Sequence, residues 1–144
     1  MSPYQTFNFA VEIEGLLVGG FCAVDGLSGE VGVEDYREGG VNGSAHRLPG
    51  PASYDNLVLR YGLTGSPMLW SWYAATVDGV IRRRNGTVIL LGPDQVPRLW
   101  WNFRQALPVR WSGPSFDAAT DDIAIETLEL VHEGLSRPLI GLPS

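Results

Sequence analysis

Chemistry has few places to reside in this chain. Histidine occurs only at 46 and 132, cysteine only at 22, and all ten basic side chains are arginine. The absence of lysine excludes a Walker A phosphate loop, a Schiff base and a Ser-Lys mechanism. His46 follows Ser44 by two positions, but Ser-x-His lacks the sharp turn that exposes a catalytic serine. A serine triad also needs an oriented histidine. His132-Glu133 offers two metal ligands with no second histidine beside them, so a solvated strand end is the better reading. Cys22 lies in the apolar run "GGFCAV" and reads as a small core residue. It has no partner for a disulfide or a multi-cysteine zinc site. The carboxylates fall mostly on polar strand faces and form no acid/base pair. Arg82-Arg83-Arg84 is the only basic run. In a strand its side chains alternate between faces, which favours salt bridges with an acidic neighbour over a phosphate stripe. No catalytic, cofactor-binding or metal site is assigned, and no cofactor is expected.

Composition narrows the class further. The 144 residues suit one domain with its own core, 44% of them are hydrophobic and 18% charged, and the net charge is -6. This balance is globular and lacks the basic face of a free nucleic-acid binder. Five tryptophans and five tyrosines lie largely in regular segments, where core or interface packing explains them better than base stacking. The N-terminal stretch shows no positive region and no long apolar run, so a secretory signal is not expected. The longest apolar runs are too short to span a bilayer. The reading is a soluble protein made in the cytoplasm.

The elements that must position these residues are mainly strands. "FNFAVEIE" alternates, with Phe7, Phe9, Val11 and Ile13 inward and Asn8, Glu12 and Glu14 outward. "LLVGGFCAVDGL" reads as a more buried strand. "GEVGVEDYRE" alternates again, Val31 and Val33 against Glu30 and Glu34. "YDNLVLRYG" resumes the sheet through Leu57, Leu59 and Tyr61. "GSPMLWSWYAATVDG" changes period. Ser66 is a predicted N-cap, Pro67 the first helical residue, Leu69, Trp72, Tyr73 and Thr76 the packed face, and Gly79 the stop. "GVIRRRNGTVILLG" reads as a hairpin turning at Asn85-Gly86. "PRLWWNFRQALPVRW" is a long strand, with Leu99, Trp101 and Phe103 inward, bent near Pro108. "DDIAIETLELVHEGL" closes the sheet and is apolar on both faces, Ile123 and Ile125 on one, Leu128 and Leu130 on the other. A barrel wall covered by the helix or by a second subunit accounts for this.

Between the third and fourth of these strands runs "REGGVNGSAHRLPG", residues 37–50. So long a glycine-rich connection is usually functional or disordered. A phosphate cradle, a lid, a tether and an arm for a neighbouring subunit are the candidates, and the missing lysine removes the P-loop.

The order of "FNFAVEIEGLLVGGFCAVDGLSGEVGVEDYREGG", "RLPG", "YDNLVLRYGLT", "LWSWY" and "LPVRWSGPSFDAATDDIAIETLELVHEGL" resembles the inner-tube proteins of contractile tails. These serve contractile phages and phage-tail-like contractile injection systems, and related subunits occur in type VI secretion. The likeness covers roughly residues 5–135. Its most specific parts are Asp35-Tyr36-Arg37-Glu38-Gly39-Gly40, where Asp35 replaces an expected glutamate, and the "IETLELVHEGL" end.

The resemblance implies a mainly β, barrel-like domain over residues 1–144, built of two packed antiparallel sheets with one flanking helix. It implies a structural, non-enzymatic subunit that forms a homo-hexamer. The hexamers would stack into a tube inside a contractile sheath, with baseplate or spike and tube-terminating proteins at its ends. Cargo protein or DNA would pass through the lumen, and the free subunit would hold no membrane. Assembly would take place in the bacterial cytoplasm, with the product part of a phage tail or a released injection particle. The glycine-rich connection, taken as 38–52, becomes an assembly arm contacting neighbours through Arg37, Glu38, Gly39, Gly40, Asn42, His46 and Arg47. The polar strand faces supply lumen-lining candidates: Asn8, Glu12, Glu14, Glu30, Glu34, Arg60, Asn102 and Arg104. The rival reading is a small β-barrel hydrolase or carbohydrate-binding module that uses the 38–52 loop on a ligand.

Overall fold

A computed structural model describes residues 8–14, 16–37, 45–62, 67–114 and 125–138. The described elements run β1 (Asn8–Ile13), β2 (Leu16–Asp25), β3 (Gly29–Arg37), β4 (Ala45–Tyr54) and β5 (Leu57–Gly62). Then come α1 (Pro67–Val77), β6 (Arg84–Leu91), β7 (Pro97–Ser112), β8 (Ile125–Val131) and β9 (Leu135–Ser136). Pairing gives a seven-stranded sheet ordered β6-β1-β2-β5-β8-β7-β9 and a two-stranded sheet β3-β4, all antiparallel. β6 also pairs with β7, which brings the ends of the large sheet together in a barrel-like wrap.

The long strand β7 makes that wrap possible. Its first part pairs with β6 from Pro97 to Ala106, and its second part with β8 from Leu107 to Ser112. The bend between them carries Gln105 at φ 55° and an irregularity between Pro108 and Arg110. Proline removes a ladder donor, and a bulge tightens the local twist. β9 continues the register of β8 past a short break: Leu107 faces Val131, Phe103 faces Leu135, and the Glu133 amide donates to the Arg104 carbonyl at 2.9 Å.

Alternation fills the inside of the wrap. Ile13, Gly86 and Phe103 share one row, and Val11, Val88 and Trp101 the next. Leu59, Leu128 and Trp111 form a row on the other side, as do Leu57, Leu130 and Pro108. Val11, Ile13, Leu57, Leu59, Tyr61, Val88, Phe103, Leu128 and Leu130 are 0–1% exposed. At roughly 1.5–3 kcal/mol for each fully buried large apolar side chain, this interior is the main source of stability.

The helix packs chiefly on β7, burying Leu69 and Trp72. Its end matches the sequence reading. Gly79 takes φ 86°, its amide donates to the Thr76 carbonyl at 3.0 Å, and the Val80 amide donates to Ala75 at 2.9 Å. That is a Schellman cap, which needs a left-handed residue at this point. Trp72 Nε1 donates to the Arg82 carbonyl at 2.7 Å, and the Arg84 guanidinium lies 5.8 Å from the Trp72 ring centroid. The segment returning from the helix is thereby fixed against it.

Two expectations are corrected. Asn85-Gly86 is not a turn: β6 continues through it, with a register shift against β7 between Arg84 and Gly86, and the β6–β7 reversal lies at Gly92–Val96. There Gln95 takes φ 64°, the Gly92 amide donates to Val96 and the Gln95 amide donates to Gly92, each at 2.9 Å. Gly86 serves a close approach instead. A Cβ there would stand 2.3 Å from Phe103 Cζ and 2.6 Å from the Glu12 carbonyl oxygen. Consequently the arginine run does not alternate along one strand; Arg82 and Arg83 precede β6 and only Arg84 belongs to it.

The second correction concerns 38–52. Residues 45–52 belong to β4, paired with β3 from Arg37↔Ala45 to Gly29↔Tyr54. Pro49 and Pro51 suggest a loop, but β4 pairs only with β3 among the described strands, and a strand with one open edge tolerates proline. The glycine-rich tip, residues 38–44, lies outside the described residues, as do Phe7, Ser66 and Ile123.

Candidate functional site

Two surfaces gather the residues singled out from the sequence. The first is the β3–β4 hairpin. Opposite residues of an antiparallel pair share a face. Val31 and Ala52, Val33 and Pro49, and Asp35 and Arg47 therefore lie on one side, and Glu30, Ser53, Glu34 and Leu48 on the other. Val31 is 53% exposed, Val33 64% and Leu48 46%. Among the described side chains, none on the hairpin enters the buried core. Arg47 Nε stands 3.6 Å from Asp35 Oδ1, with both side chains well exposed, a pair worth at most about 1 kcal/mol. Of the arm residues expected from the sequence, Arg37, His46 and Arg47 fall on this hairpin, while Glu38, Gly39, Gly40 and Asn42 lie outside the described residues.

The two ends of the hairpin are tied to each other at its root. The Asp55 amide donates to the Ser28 carbonyl at 3.3 Å, and the Ser28 hydroxyl donates to the Asp55 carboxylate. His132 joins the same knot. Its Nδ1 accepts from the Gly134 amide at 3.2 Å, so Nε2 carries the proton and donates to the Asp55 carbonyl at 3.0 Å. The Tyr54 and His132 rings lie 5.7 Å apart. Nε2 thus holds the arm's root, while Nδ1 is fixed by the imidazole's own segment. Among the described residues no group of three or more histidine, cysteine, aspartate or glutamate side chains is placed to hold a metal.

The second surface is a polar groove of about 420 Å³ on the outer face of β1, β6 and β7. Register puts Glu12 beside Thr87, Thr87 beside Asn102 and Asn102 beside Ser136. Glu14 and Arg104 complete the lining. Thr87 Oγ1 donates to Asn102 Oδ1 at 2.8 Å, and Arg84 donates to the Glu14 carbonyl at 2.6 Å. Glu12, Glu14, Asn102 and Arg104 are therefore brought together. The other lumen candidates are not: Glu30 and Glu34 sit on the hairpin, and Arg60 lies on β5, bonded to Asp25 at 2.6 Å. Asn8 stands in β1 opposite Leu91. Sequence reasoning misses Thr87 and Ser136. Uncharged and lying in segments that read as a turn and a chain end, they carry no signal without the register.

One buried titratable group stands apart. Tyr61 is 1% exposed and pairs across β5–β8 with Glu126. Burial first, then the charge and hydrogen bonding of Glu126, push its phenol well above the ordinary tyrosine range. Trp111 Nε1 donates to the same carboxylate at 3.3 Å.

Comparison with known proteins agrees with this picture of a scaffold. A chain of the six-fold-symmetrised anti-feeding prophage baseplate is 24% identical, covering 99% of both chains with a TM-score of 0.71. A chain of the sheath/tube terminator of the extracellular contractile injection system PVC is 25% identical over 96% of each, TM-score 0.72. A type six secretion system protein shares the fold at 12% identity, covering 92% of this chain and 83% of its own, TM-score 0.59. Curated protein sequences give no match. The family comparison leaves the hydrolase and carbohydrate-binding reading without support. Residues 5–136 match the T4-like virus tail tube protein gp19 family, and the chain belongs to that family.

Proposed function

We propose that this chain is the repeating subunit of the inner tube of a contractile phage tail or phage-tail-like injection particle. The family match over residues 5–136 carries the reading. The β3–β4 hairpin fits it: an arm held outside the subunit's own core, with an exposed apolar face, suits contact with a further copy of the chain. Six copies form a ring, and rings stack into the tube. The likeness to a chain of a six-fold-symmetrised baseplate supports that number. Sheath, baseplate and terminating proteins are the partners, consistent with the complexes from which the similar chains come. The subunit is made in the cytoplasm and leaves the cell within the particle.

The polar groove over Glu12, Glu14, Asn102 and Arg104 faces the lumen. Hydrated groups of mixed charge let cargo, protein or DNA, pass without sticking. The residues 37–47 at the arm's end contact the neighbouring subunit. The subunit performs no catalysis; His132 has a structural task, tying the arm's root to the barrel.

The test is negative-stain microscopy of the concentrated full chain, alone and co-expressed with sheath and baseplate proteins. Six-fold rings and hollow tubes are expected. A protein that stays monomeric by light scattering at every concentration, with and without those partners, would overturn the proposal.

A further inference from the structure

The direction in which the β3–β4 hairpin leaves the barrel is set at its root. Beyond the root, β3 and β4 pack chiefly on each other, and none of their described side chains joins the core. At the root the two connecting segments, 26–28 and 55–56, come very close. Gly26 takes φ 96°, and a Cβ there would overlap the Asn56 carbonyl group. The Ser28 amide donates to the Gly26 carbonyl at 2.8 Å. The Tyr54 ring covers Gly29, where a Cβ would meet it at 2.8 Å. The Asn56 side chain donates to Glu129 of β8 at 2.8 Å, and the next residue, Leu57, is fully buried.

His132 holds this joint from the end of β8, and it does so in one protonation state only. Its Nε2 donates to the Asp55 carbonyl and its Nδ1 accepts from the Gly134 amide. A second proton would set an N–H on Nδ1 against the Gly134 N–H, two donors with no acceptor between them. The Gly134 peptide is not free to turn away. Its carbonyl accepts from the Arg104 amide at 3.2 Å, and the Glu133 amide donates to the Arg104 carbonyl at 2.9 Å. The Arg104 guanidinium fills the space where a Cβ of Gly134 would stand. The ring is the part that must move, and its movement withdraws Nε2 from Asp55. The other titratable and charged groups at this junction are Tyr54 of β4, Asp55, Glu129 and Glu133, and Arg104 of β7. Among the described residues no carboxylate is bonded to the imidazole: Asp55 accepts from Ser28 and Glu129 from Asn56.

We propose that His132 is a proton-sensitive pin at the root of the hairpin. The neutral imidazole fixes the direction of β3–β4 relative to the barrel, and the imidazolium releases it. The device belongs to the single subunit. It goes beyond the tube reading and needs no neighbouring copy to operate.

The experiment measures the angle of the hairpin in the dilute full chain. Cys22→Ala and His46→Gln leave no other cysteine and make His132 the only histidine. Val33→Cys on the hairpin and Val77→Cys at the end of α1, 64% and 66% exposed, carry nitroxide labels. Labelled protein is diluted into unlabelled parent, so that pulsed EPR reads distances within one subunit. At pH 8 a single narrow distance is expected. At pH 5 imidazole is charged while ordinary carboxylates remain ionised, and the population outside the main peak should rise about fivefold, as for the loss of one hydrogen bond. Return to pH 8 should restore the narrow peak. His132→Phe, which has no donor for Asp55, should be broad at both pH values. His132→Gln, which keeps an N–H and does not titrate, should be narrow at both. A parent as broad at pH 8 as at pH 5 would show that the joint is not fixed and overturn the proposal. So would a pH effect that persists in His132→Gln. If His132→Phe does not fold, the parent and His132→Gln decide the question between them. The tube reading is judged separately, by the formation of rings and tubes.

Discussion

Replacing Gly86 by alanine tests the corrected path of the chain through β6. The added methyl would stand 2.3 and 2.7 Å from Phe103 Cζ and Cε2, and 2.6 Å from the Glu12 carbonyl oxygen. Ordinary carbon contacts lie near 3.5–4.0 Å, so the shortfall is about 1 Å on two sides. Neither neighbour yields easily. Phe103 is 1% exposed, and the Glu12 carbonyl belongs to the backbone of β1, held beside β6 by the ladder. Overpacking of this kind costs about 1–3 kcal/mol. Gly86 has no positive φ, so alanine recovers about 0.4–1 kcal/mol by restricting the unfolded chain. The net loss is about 1–2 kcal/mol. At roughly 3–4 °C per kcal/mol for a chain near this length, the melting temperature falls by about 3–8 °C.

The assay is urea unfolding of the dilute subunit followed by circular dichroism, with Phe103→Leu as a second site. Were Asn85-Gly86 a primed turn, alanine would also destabilise, through the positive φ such a turn requires, but Phe103 would not matter. In the structure a smaller leucine side chain in place of Phe103 makes room. Gly86→Ala should therefore cost less in the Phe103→Leu background than in wild type, a coupling of at least about 1 kcal/mol. A neutral or stabilising Gly86→Ala, or additive effects of the two changes, would refute the close-approach account.

Other consequences can be checked on the same protein. Leu128 is fully buried between Leu59 and Trp111, so Leu128→Ala should cost about 2–5 kcal/mol in urea unfolding; a loss below about 1 kcal/mol would place it outside the core. The raised phenol of Tyr61 makes the folded state hold its proton more tightly than the unfolded chain, whose tyrosines titrate near pH 10. Its stabilising contribution is complete below that pH and is lost as pH rises toward the folded value, by up to about 1.4 kcal/mol per pH unit. Tyr61→Phe should flatten the alkaline limb of the stability curve, and an unchanged limb would count against it. Replacing residues 38–44 by Asn-Gly keeps the Arg37↔Ala45 pairing of the hairpin. It should leave monomer melting within a few degrees and abolish tubes in micrographs; normal tubes would show that the tip is no assembly element.

The barrel-like wall is legible in the sequence because alternation is a local consequence of burying one strand face. Phe9, Val11 and Ile13 can be assigned inward, and Glu12 and Glu14 outward, without knowing any partner strand. The helix is equally open to reading: Pro67 at its start, Leu69 and Trp72 on its packed face and Gly79 at its stop are all set within the segment itself. The errors arise where a residue's reason lies elsewhere in the chain. Asn-Gly is a strong turn signal, yet Gly86 answers to Phe103 and to the Glu12 carbonyl, both distant in sequence. Pro49 and Pro51 read as loop residues because sequence does not reveal that, among the described strands, β4 pairs with β3 alone and keeps one edge open. The same logic divides the candidate site. Glu12, Glu14, Asn102 and Arg104 can be named from strand faces, but their meeting in one groove follows from the β1–β6–β7 register, a property of pairing rather than of any one segment. Val31 and Val33 illustrate the remaining gap. Their alternation with Glu30 and Glu34 marks an apolar side, and in most chains that side would face the subunit's own core. Here it lies exposed on a hairpin whose described side chains stay outside the buried core. Local patterning thus states that a face must be covered, while the identity of the cover is written in the arrangement of whole elements.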